Sequence, residues 1–335
     1  MSYAQLAQTM RPVIETELRR QVRRLAAPST AAFHAMLAYH LGWDGSEANQ
    51  GGKRIRPVLN LLVCASAGGS WRDAVPAAAG LELVHNFSLV HDDIQDNSPT
   101  RRGRPTLWRK QGVPLAINAG DALFTLANQA TLDLAGTFEG KVVVEAVAVL
   151  QQACLDLTKG QFLDLYHQQK GSLTIRGYWQ MIEGKTAALI AACTHIGALL
   201  GGAAPAKRAR YHEFGKLLGL AFQVEDDILG IWGEESRTGK STASDLAEGK
   251  LSLPVIYGLI KRGPFAKLWH DEGTRKRNAS RLRKQLEAEG GREYARAQAG
   301  RLTRNALGLL HDLHPQGEAG RALEELTMQL LARRA

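Results

Sequence analysis

The chain has 335 residues, with 42 Lys and Arg against 33 Asp and Glu and a formal net charge of +9. Hydrophobic residues make up 44% and charged residues 22%, a globular composition that excludes a mostly disordered chain. The three cysteines, at 64, 154 and 193, have no Cys-x-x-Cys spacing and cannot all pair. That excludes a disulfide scaffold or a cysteine zinc site and points to a reducing compartment, the cytoplasm.

The positive charge is unevenly spread. From Lys261 to Ala335, 16 Lys and Arg stand against 9 Asp and Glu, which accounts for seven of the nine net charges. Runs such as Arg275-Lys276-Arg277 carry no interleaved aromatics. They read as a solvated helical face, and no nucleic-acid partner is expected.

Residues 1–24 place Leu6, Met10, Val13, Ile14 and Leu18 at helical spacing, without the apolar core of a signal peptide. Helical periodicity predicts further stretches over 53–67, 74–96, 113–136, 140–168, 174–200, 207–232, 251–262 and 316–334. Glycine and proline fall mostly between them. Ala187 to Ala204 is almost free of charge, but its alanines and glycines, Thr194 and His195 read as a buried bundle helix. The chain is therefore not expected to be an integral membrane protein. Period-two strands are hard to find, and no Ser/Pro-rich linker divides the chain. The expectation is a single all-α domain over 1–335, one large antiparallel helical bundle around a central cavity.

Chemistry concentrates in four segments. In His91-Asp92-Asp93-Ile94-Gln95-Asp96, Asp92 and Asp96 share one helical face, where two carboxylates repel unless a cation lies between them. A hard divalent ion shared with substrate phosphates is the natural partner. Phe222-Gln223-Val224-Glu225-Asp226-Asp227-Ile228 repeats the Asp-Asp-Ile pattern after another apolar run. Matching cations stand in Gly51-Gly52-Lys53-Arg54-Ile55-Arg56-Pro57 and Arg101-Arg102-Gly103-Arg104. Lys53 and Arg56, three apart at a helix start, can converge on one anion. Lys185-Thr186, Lys240 and Lys250 add point charges. No glycine-rich loop follows a strand, so neither a Walker-type nor a dinucleotide site is expected.

Taken in this order, the segments resemble the all-trans isoprenyl diphosphate synthases of the polyprenyl synthetase family. Further matches are Leu83-Val84-His85, Gly160-Gln161-x-x-Asp164-Leu165, Gly239-Lys240, Ser244-Asp245-Leu246 and Leu251-Ser252-Leu253-Pro254. Coverage runs from about 50 to 260. The resemblance implies an isoprenoid synthase type I fold, a homodimer and Mg²⁺ as cofactor. It implies condensation of isopentenyl diphosphate with dimethylallyl, geranyl or farnesyl diphosphate.

By the same resemblance, Asp92, Asp96 and Asp226 ligate Mg²⁺, with Asp93 and Asp227 in support. Arg101, Lys185, Lys240 and Lys250 contact the allylic diphosphate. Lys53, Arg56, His85 and Arg102 hold isopentenyl diphosphate, while Thr186 and Gln223 line the reaction centre. The second motif departs from the family by ending in Gly230 where a third aspartate is usual, which reduces the charge of the second site; Glu225 and Glu234 read as solvated surface glutamates rather than as substitutes.

Product length is read along the helix below Asp92. At roughly 1.5 Å per residue, Ser88 and Phe87 lie about 6–7.5 Å further in, followed by Val84 and Leu81. Phe87 is the bulkiest group on that wall. An aromatic five residues before the first motif resembles the geranylgeranyl-forming (C20) type, with farnesyl (C15) as alternative. A class I terpene cyclase and a non-catalytic partner subunit are the other readings. The Lys53/Arg56/His85 set counts against the first, and the intact aspartates and arginines count against the second.

Overall fold

A computed structural model describes residues 1–45, 52–233, 244–270, 275 and 277–331, which are helical almost throughout. They form two compact units interleaved in sequence. The first comprises Met1–Gln152, Ala192–Tyr211 and His314–Glu325; the second comprises Ala153–Ala191, His212–Leu313 and the residues from Leu326 on.

In the first unit, α1 (Tyr3–Val22) begins with a capping box. Ser2 Oγ accepts from the Gln5 amide, and the Gln5 side chain accepts from the Ser2 amide, satisfying two helix-end donors. Its Met10, Ile14 and Leu18 are fully buried at fourfold spacing. Then come α2 (Ala31–His40), α3 (Ile55–Ser66), α4 (Val75–Gln95), α5 (Leu107–Gln111) and α6 (Val113–Leu132). Helix α4 packs along α6 and also meets α1 and α3. Gly120 of α6 permits close approach, since a Cβ there would stand 2.2 Å from His91 Nε2.

A short hairpin, β1 (Thr100–Arg101) against β2 (Arg104–Pro105), links α4 to α5. Its turn residues Arg102 and Gly103 have φ of 52° and 74°, the left-handed pair of a tight hairpin turn. These two-residue strands leave the expected all-α architecture intact. They are too short to leave an alternating pattern in the sequence.

The second unit contains most of α7 (Gly140–Lys170), then α8 (Ile175–Ile182), the start of α9 (Ala188–Leu200) and most of α10 (Pro205–Trp232). It continues with α11 (Ser244–Glu248), α12 (Leu253–Lys261), α13 (Pro264–Trp269), α14 (Ala279–Ala288) and α15 (Gly291–Leu313); α16 (Gly317–Leu331) ends the described chain. The stretch expected as one helix over 174–200 is interrupted by a π-turn, Glu183–Ala187. Helices α14 and α15 bury Leu282, Leu286, Ala299, Leu302 and Leu310. Arg281 and Lys284 remain exposed, as a solvated basic face requires. Among the described residues, no helix is long and apolar enough to cross a membrane.

Candidate active site

The first acidic segment is the last turn of α4, with Asp96 as its C-cap. Helical pitch sorts its carboxylates. Asp92 is half-buried and Asp96 exposed, while Asp93 turns inward and is 2% exposed. Asp93 is gripped by Arg101, whose Nε lies 2.8 and 2.9 Å from its two oxygens and whose Nη2 lies 2.7 Å from Oδ1. Burial raises the Asp93 carboxyl, with Arg101 opposing. Asp92 and Asp96 thus sit at the negative end of a helix dipole, where anions are disfavoured and a cation is attracted.

The basic residues of the same unit come together at the opposite charge sign. Gly52 has φ of 86°, and a Cβ on it would fall 2.8–2.9 Å from the Arg102 guanidinium. A glycine is favoured there by the backbone conformation. The segment leading through Lys53 into α3, which carries Arg56, therefore lies against Arg102. His85 belongs to this cluster, since burial and the charges of Arg56, Arg102 and Arg101 hold it well below 6.5, keeping it neutral. Lys53 is exposed. Arg56 Nε is buried with no hydrogen-bond partner among the described residues.

Arg54, between them, does something the sequence did not announce. Its guanidinium is buried, donating to Glu15 at 2.6 Å, to Glu82 at 2.9 Å and to the Leu41 carbonyl at 3.1 Å. It anchors the start of α3 to α1 and α4. A cleft in this unit is lined by Tyr39, His40, Asn86, Asp93, Arg101, Arg102 and Arg104. His40 was not singled out by sequence, yet its Nε2 is buried and unpartnered among the described residues.

In the second unit, α10 presents Asp226 half-buried and Asp227 buried. Asp227 accepts from Tyr178 Oη at 2.7 Å, from the Leu253 amide at 2.9 Å and from Gln223 Nε2 at 3.0 Å. Gln223 Oε1 in turn accepts from Thr186 Oγ1 at 2.6 Å. Burial pushes Asp227 up to about 6 against these three donors. Asp227 is thus an anchor that fixes α10, α8 and the start of α12 around Gln223.

Lys185 and Thr186 lie on the π-turn, a local distortion common at functional sites. Gly160 of α7 makes room for that turn, because a Cβ there would sit 2.0 Å from the Lys185 amide nitrogen. Lys185 pairs with Asp164 of the same helix. Lys250 pairs with Asp245 and Glu248, each at 3.3 Å. Lys240 and Glu234 lie outside the described residues.

The Phe87 ring is half-buried on α4. It meets His91 edge-on at 5.2 Å and Phe124 of α6 at 5.2 Å, tilted by 52°. Ser88 is buried and its hydroxyl donates to the His85 carbonyl at 2.8 Å; Val84 is fully buried. Phe87 therefore adjoins Phe124 and His91 as well as its own helix. The three cysteines are buried and unpaired, with thiols pushed up to about 12 by burial, as core residues. Among the described residues no three His, Cys, Asp or Glu side chains form a ready-made metal cage.

The polyprenyl synthetase family model matches residues 46–287, which contain both acidic segments and both basic ones. The chain belongs to the polyprenyl synthetase family. It is thereby a prenyltransferase. The geranylgeranyl diphosphate synthase of Mycobacterium tuberculosis is 44% identical over 235 residues, covering 69% of this chain and 66% of that one, just under two thirds. The (2E,6E)-farnesyl diphosphate synthase of the same species is 34% identical over 326 residues, covering 94% and 90%. A crystal structure of a polyprenyl synthetase from Streptomyces coelicolor A3(2) matches with a TM-score of 0.86 and 34% identity, covering 97% and 99%.

Proposed function

We propose that the chain adds isopentenyl diphosphate head-to-tail to dimethylallyl, geranyl and farnesyl diphosphates, with geranylgeranyl diphosphate (C20) as its main product. The observation that carries this reading is the charge layout of the first unit. A carboxylate pair stands at the negative end of α4, near a basic cluster whose Arg56 Nε is buried without a partner. Such an orphaned donor calls for an anion.

The donor set fits Mg²⁺, which takes one or two carboxylates and fills its other positions with water and phosphate oxygens. Asp92, Asp96 and Asp226 would ligate such ions, with Asp93 and Asp227 fixing the helices that present them. Bound there, the ion stabilises the charge of the departing diphosphate.

Lys53, Arg56, His85 and Arg102 bind isopentenyl diphosphate, the neutral His85 acting as a hydrogen-bonding group rather than a charge. Lys185, Lys240, Lys250 and Arg101 hold the allylic diphosphate. The allylic carbon–oxygen bond breaks and its electron pair leaves with the diphosphate. The isopentenyl double bond then forms the new carbon–carbon bond to the allylic carbon, and a proton lost from the isopentenyl unit goes to the released diphosphate. Thr186 and Gln223 line the reacting carbons and keep them oriented, and Phe87 limits chain growth, with Ser88 and Val84 on the same wall.

The reading includes a single functional domain over 1–335 and a homodimer. Exposed apolar side chains on α6 (Val113, Leu115, Ile117, Leu132) and α7 (Val144, Leu155, Phe162) support a partner copy. Three unpaired cysteines support the cytoplasm as its location.

Incubation with Mg²⁺, isopentenyl diphosphate and each of the C5, C10 and C15 allylic diphosphates, followed by sizing of the products, tests the proposal. C20 is expected from all three. A C15 main product would support the second reading, farnesyl diphosphate synthesis, which the relative covering most of the chain favours. Cyclised hydrocarbon without elongation would refute both.

A further inference from the structure

The hairpin that carries Arg101 and Arg102 has little of its own to hold it. Each strand contributes two residues, and one of them, Pro105, brings no N–H to the ladder. A lone two-stranded hairpin is marginal in water even when it is longer. The stem is tied down by the Ser98 carbonyl, which accepts from Thr106 Oγ1 and from Trp108 Nε1, each at 2.9 Å. The second strand is held from elsewhere, by Tyr39 of α2, which lies 66 positions before Pro105.

Tyr39 Oη donates to the Pro105 carbonyl at 2.7 Å. Arg104 sets its guanidinium over the half-buried Tyr39 ring, 4.0 Å from the centroid, and Lys110 of α5 brings its ammonium to the same 4.0 Å. The negative face of the ring attracts both cations. Arg104 Nη1 also donates to the Tyr39 carbonyl at 3.4 Å, and Arg104 pairs with Asp44 just beyond α2. One tyrosine thus fastens the end of α2 to the second strand and to α5. The consequence falls on the turn. Arg104 faces Arg101 across the ladder, and Arg102 lies between them. Arg101 has a hold of its own in the contacts of its guanidinium with Asp93. Arg102 occupies the left-handed turn, so the backbone of both strands sets its place.

We infer that Tyr39 is a positioning residue for the reaction: by fixing the second strand to α2, it sets where Arg102 presents its charge to isopentenyl diphosphate. The inference rests on the substrate reading above, in which Arg102 holds isopentenyl diphosphate and Arg101 the allylic one. Tyr39 acts through the hairpin and not on the substrate. The diphosphate of the isopentenyl unit does not react, so a weaker hold on it raises KM and leaves kcat nearly unchanged. A disturbance at Arg101, beside the departing diphosphate, would lower kcat instead.

The test is steady-state kinetics with isopentenyl and geranyl diphosphates varied in turn, on variants whose folding is checked by thermal melting. Tyr39→Leu removes both the hydroxyl and the ring. It is expected to raise KM for isopentenyl diphosphate about ten-fold, a loss that an ångström's misplacement of a binding group can produce. Its kcat and its KM for geranyl diphosphate should stay within about two-fold of the parent, because Asp93 still holds Arg101. Tyr39→Phe keeps the ring under its cations and loses only the bond to Pro105, so its KM for isopentenyl diphosphate should fall between those of the parent and Tyr39→Leu. Arg104→Met should also raise that KM. Combined with Tyr39→Leu it should add no more than about two-fold, since residues acting through one contact are not additive.

Parental constants in a folded Tyr39→Leu, with a raised isopentenyl KM in Arg102→Ala, would overturn this inference and leave the substrate reading intact. Equal rises in the two KM values would overturn it too, as the mark of a merely structural role. So would fully additive effects of Tyr39→Leu and Arg104→Met. Should Tyr39→Leu fail to fold, Tyr39→Phe decides by the same measure: a rise confined to the isopentenyl KM supports the inference, and parental constants overturn it. A parent that forms no product from the two diphosphates would overturn the underlying reading itself.

Discussion

Arg54 Nη1 donates to Glu82 Oε1 at 2.9 Å, and their side chains are only 2% and 4% exposed. This pair ties the start of α3, where Lys53 and Arg56 flank Arg54, to the helix that carries Asp92 and Asp96. Removing one partner of a buried pair leaves the other charge uncompensated, at a cost of about 3–5 kcal/mol. Glu82→Ala is expected to lower the unfolding free energy by that order, read as a shift of the urea midpoint. A shift no larger than that of an exposed pair would show that Glu15 and Leu41 suffice for Arg54.

Lys53→Ala and Arg56→Ala are expected to impair isopentenyl diphosphate use far more than allylic substrate binding. Each removes a charge-assisted bond worth about 1.5–3 kcal/mol, or roughly ten- to a hundred-fold in KM for isopentenyl diphosphate. Titrating the two substrates separately decides it. Equal losses for both would contradict the assignment.

The acid side of the stability profile carries a signature of the basic cluster. Burial, reinforced by Arg101 and Arg102, lowers His40 from 6.5 to about 3. In this window the unfolded chain protonates His40 while the folded chain leaves it neutral. The unfolded state therefore binds more protons, and stability falls as pH drops from about 6.5 towards 3. One such group contributes up to about 1.4 kcal/mol per pH unit. Unfolding in urea at pH 7 and pH 5 is expected to show a smaller loss in His40→Gln than in the parent. An identical loss in both would exclude His40 as a contributor.

Phe87→Ala is expected to lengthen the product by at least one C5 unit. Because Phe87 abuts Phe124, the double variant Phe87→Ala/Phe124→Ala should extend it further. Product sizing by chromatography reads both. An unchanged distribution in Phe87→Ala would show that another wall sets the length.

The sequence and the structure agree where chemistry follows helical spacing. The fourfold step from Asp92 to Asp96 and the paired Asp-Asp-Ile segments could be read before any fold was known, as could the helices of the apolar stretches. Lys53, by contrast, precedes α3, which starts at Ile55 after a left-handed Arg54, so Lys53 and Arg56 are not one helical step apart. What stayed hidden depends on contacts between distant segments. Glu82 and Arg54 are 28 residues apart, and nothing in either segment marks them as a buried pair. The Tyr178–Asp227 bond spans 49 residues, and before folding Asp227 looks like any other member of an acidic run. The hairpin at 100–105 is too short for periodicity. The π-turn at 183–187 arises because α7 passes close at Gly160, which local sequence cannot report.

The central claim is that Asp92 and Asp96 serve a divalent cation and a diphosphate rather than the fold. Their side chains are half-buried and exposed, so truncation removes oxygen donors without opening the core. Measuring the rate of C20 formation and the melting temperature side by side in Asp92→Ala and Asp96→Ala tests this most directly. The account expects turnover to fall by at least about 10²–10³, the scale of a lost electrostatic contact to the transition state, with the melting temperature unchanged. Near-parental turnover in either folded variant would contradict it.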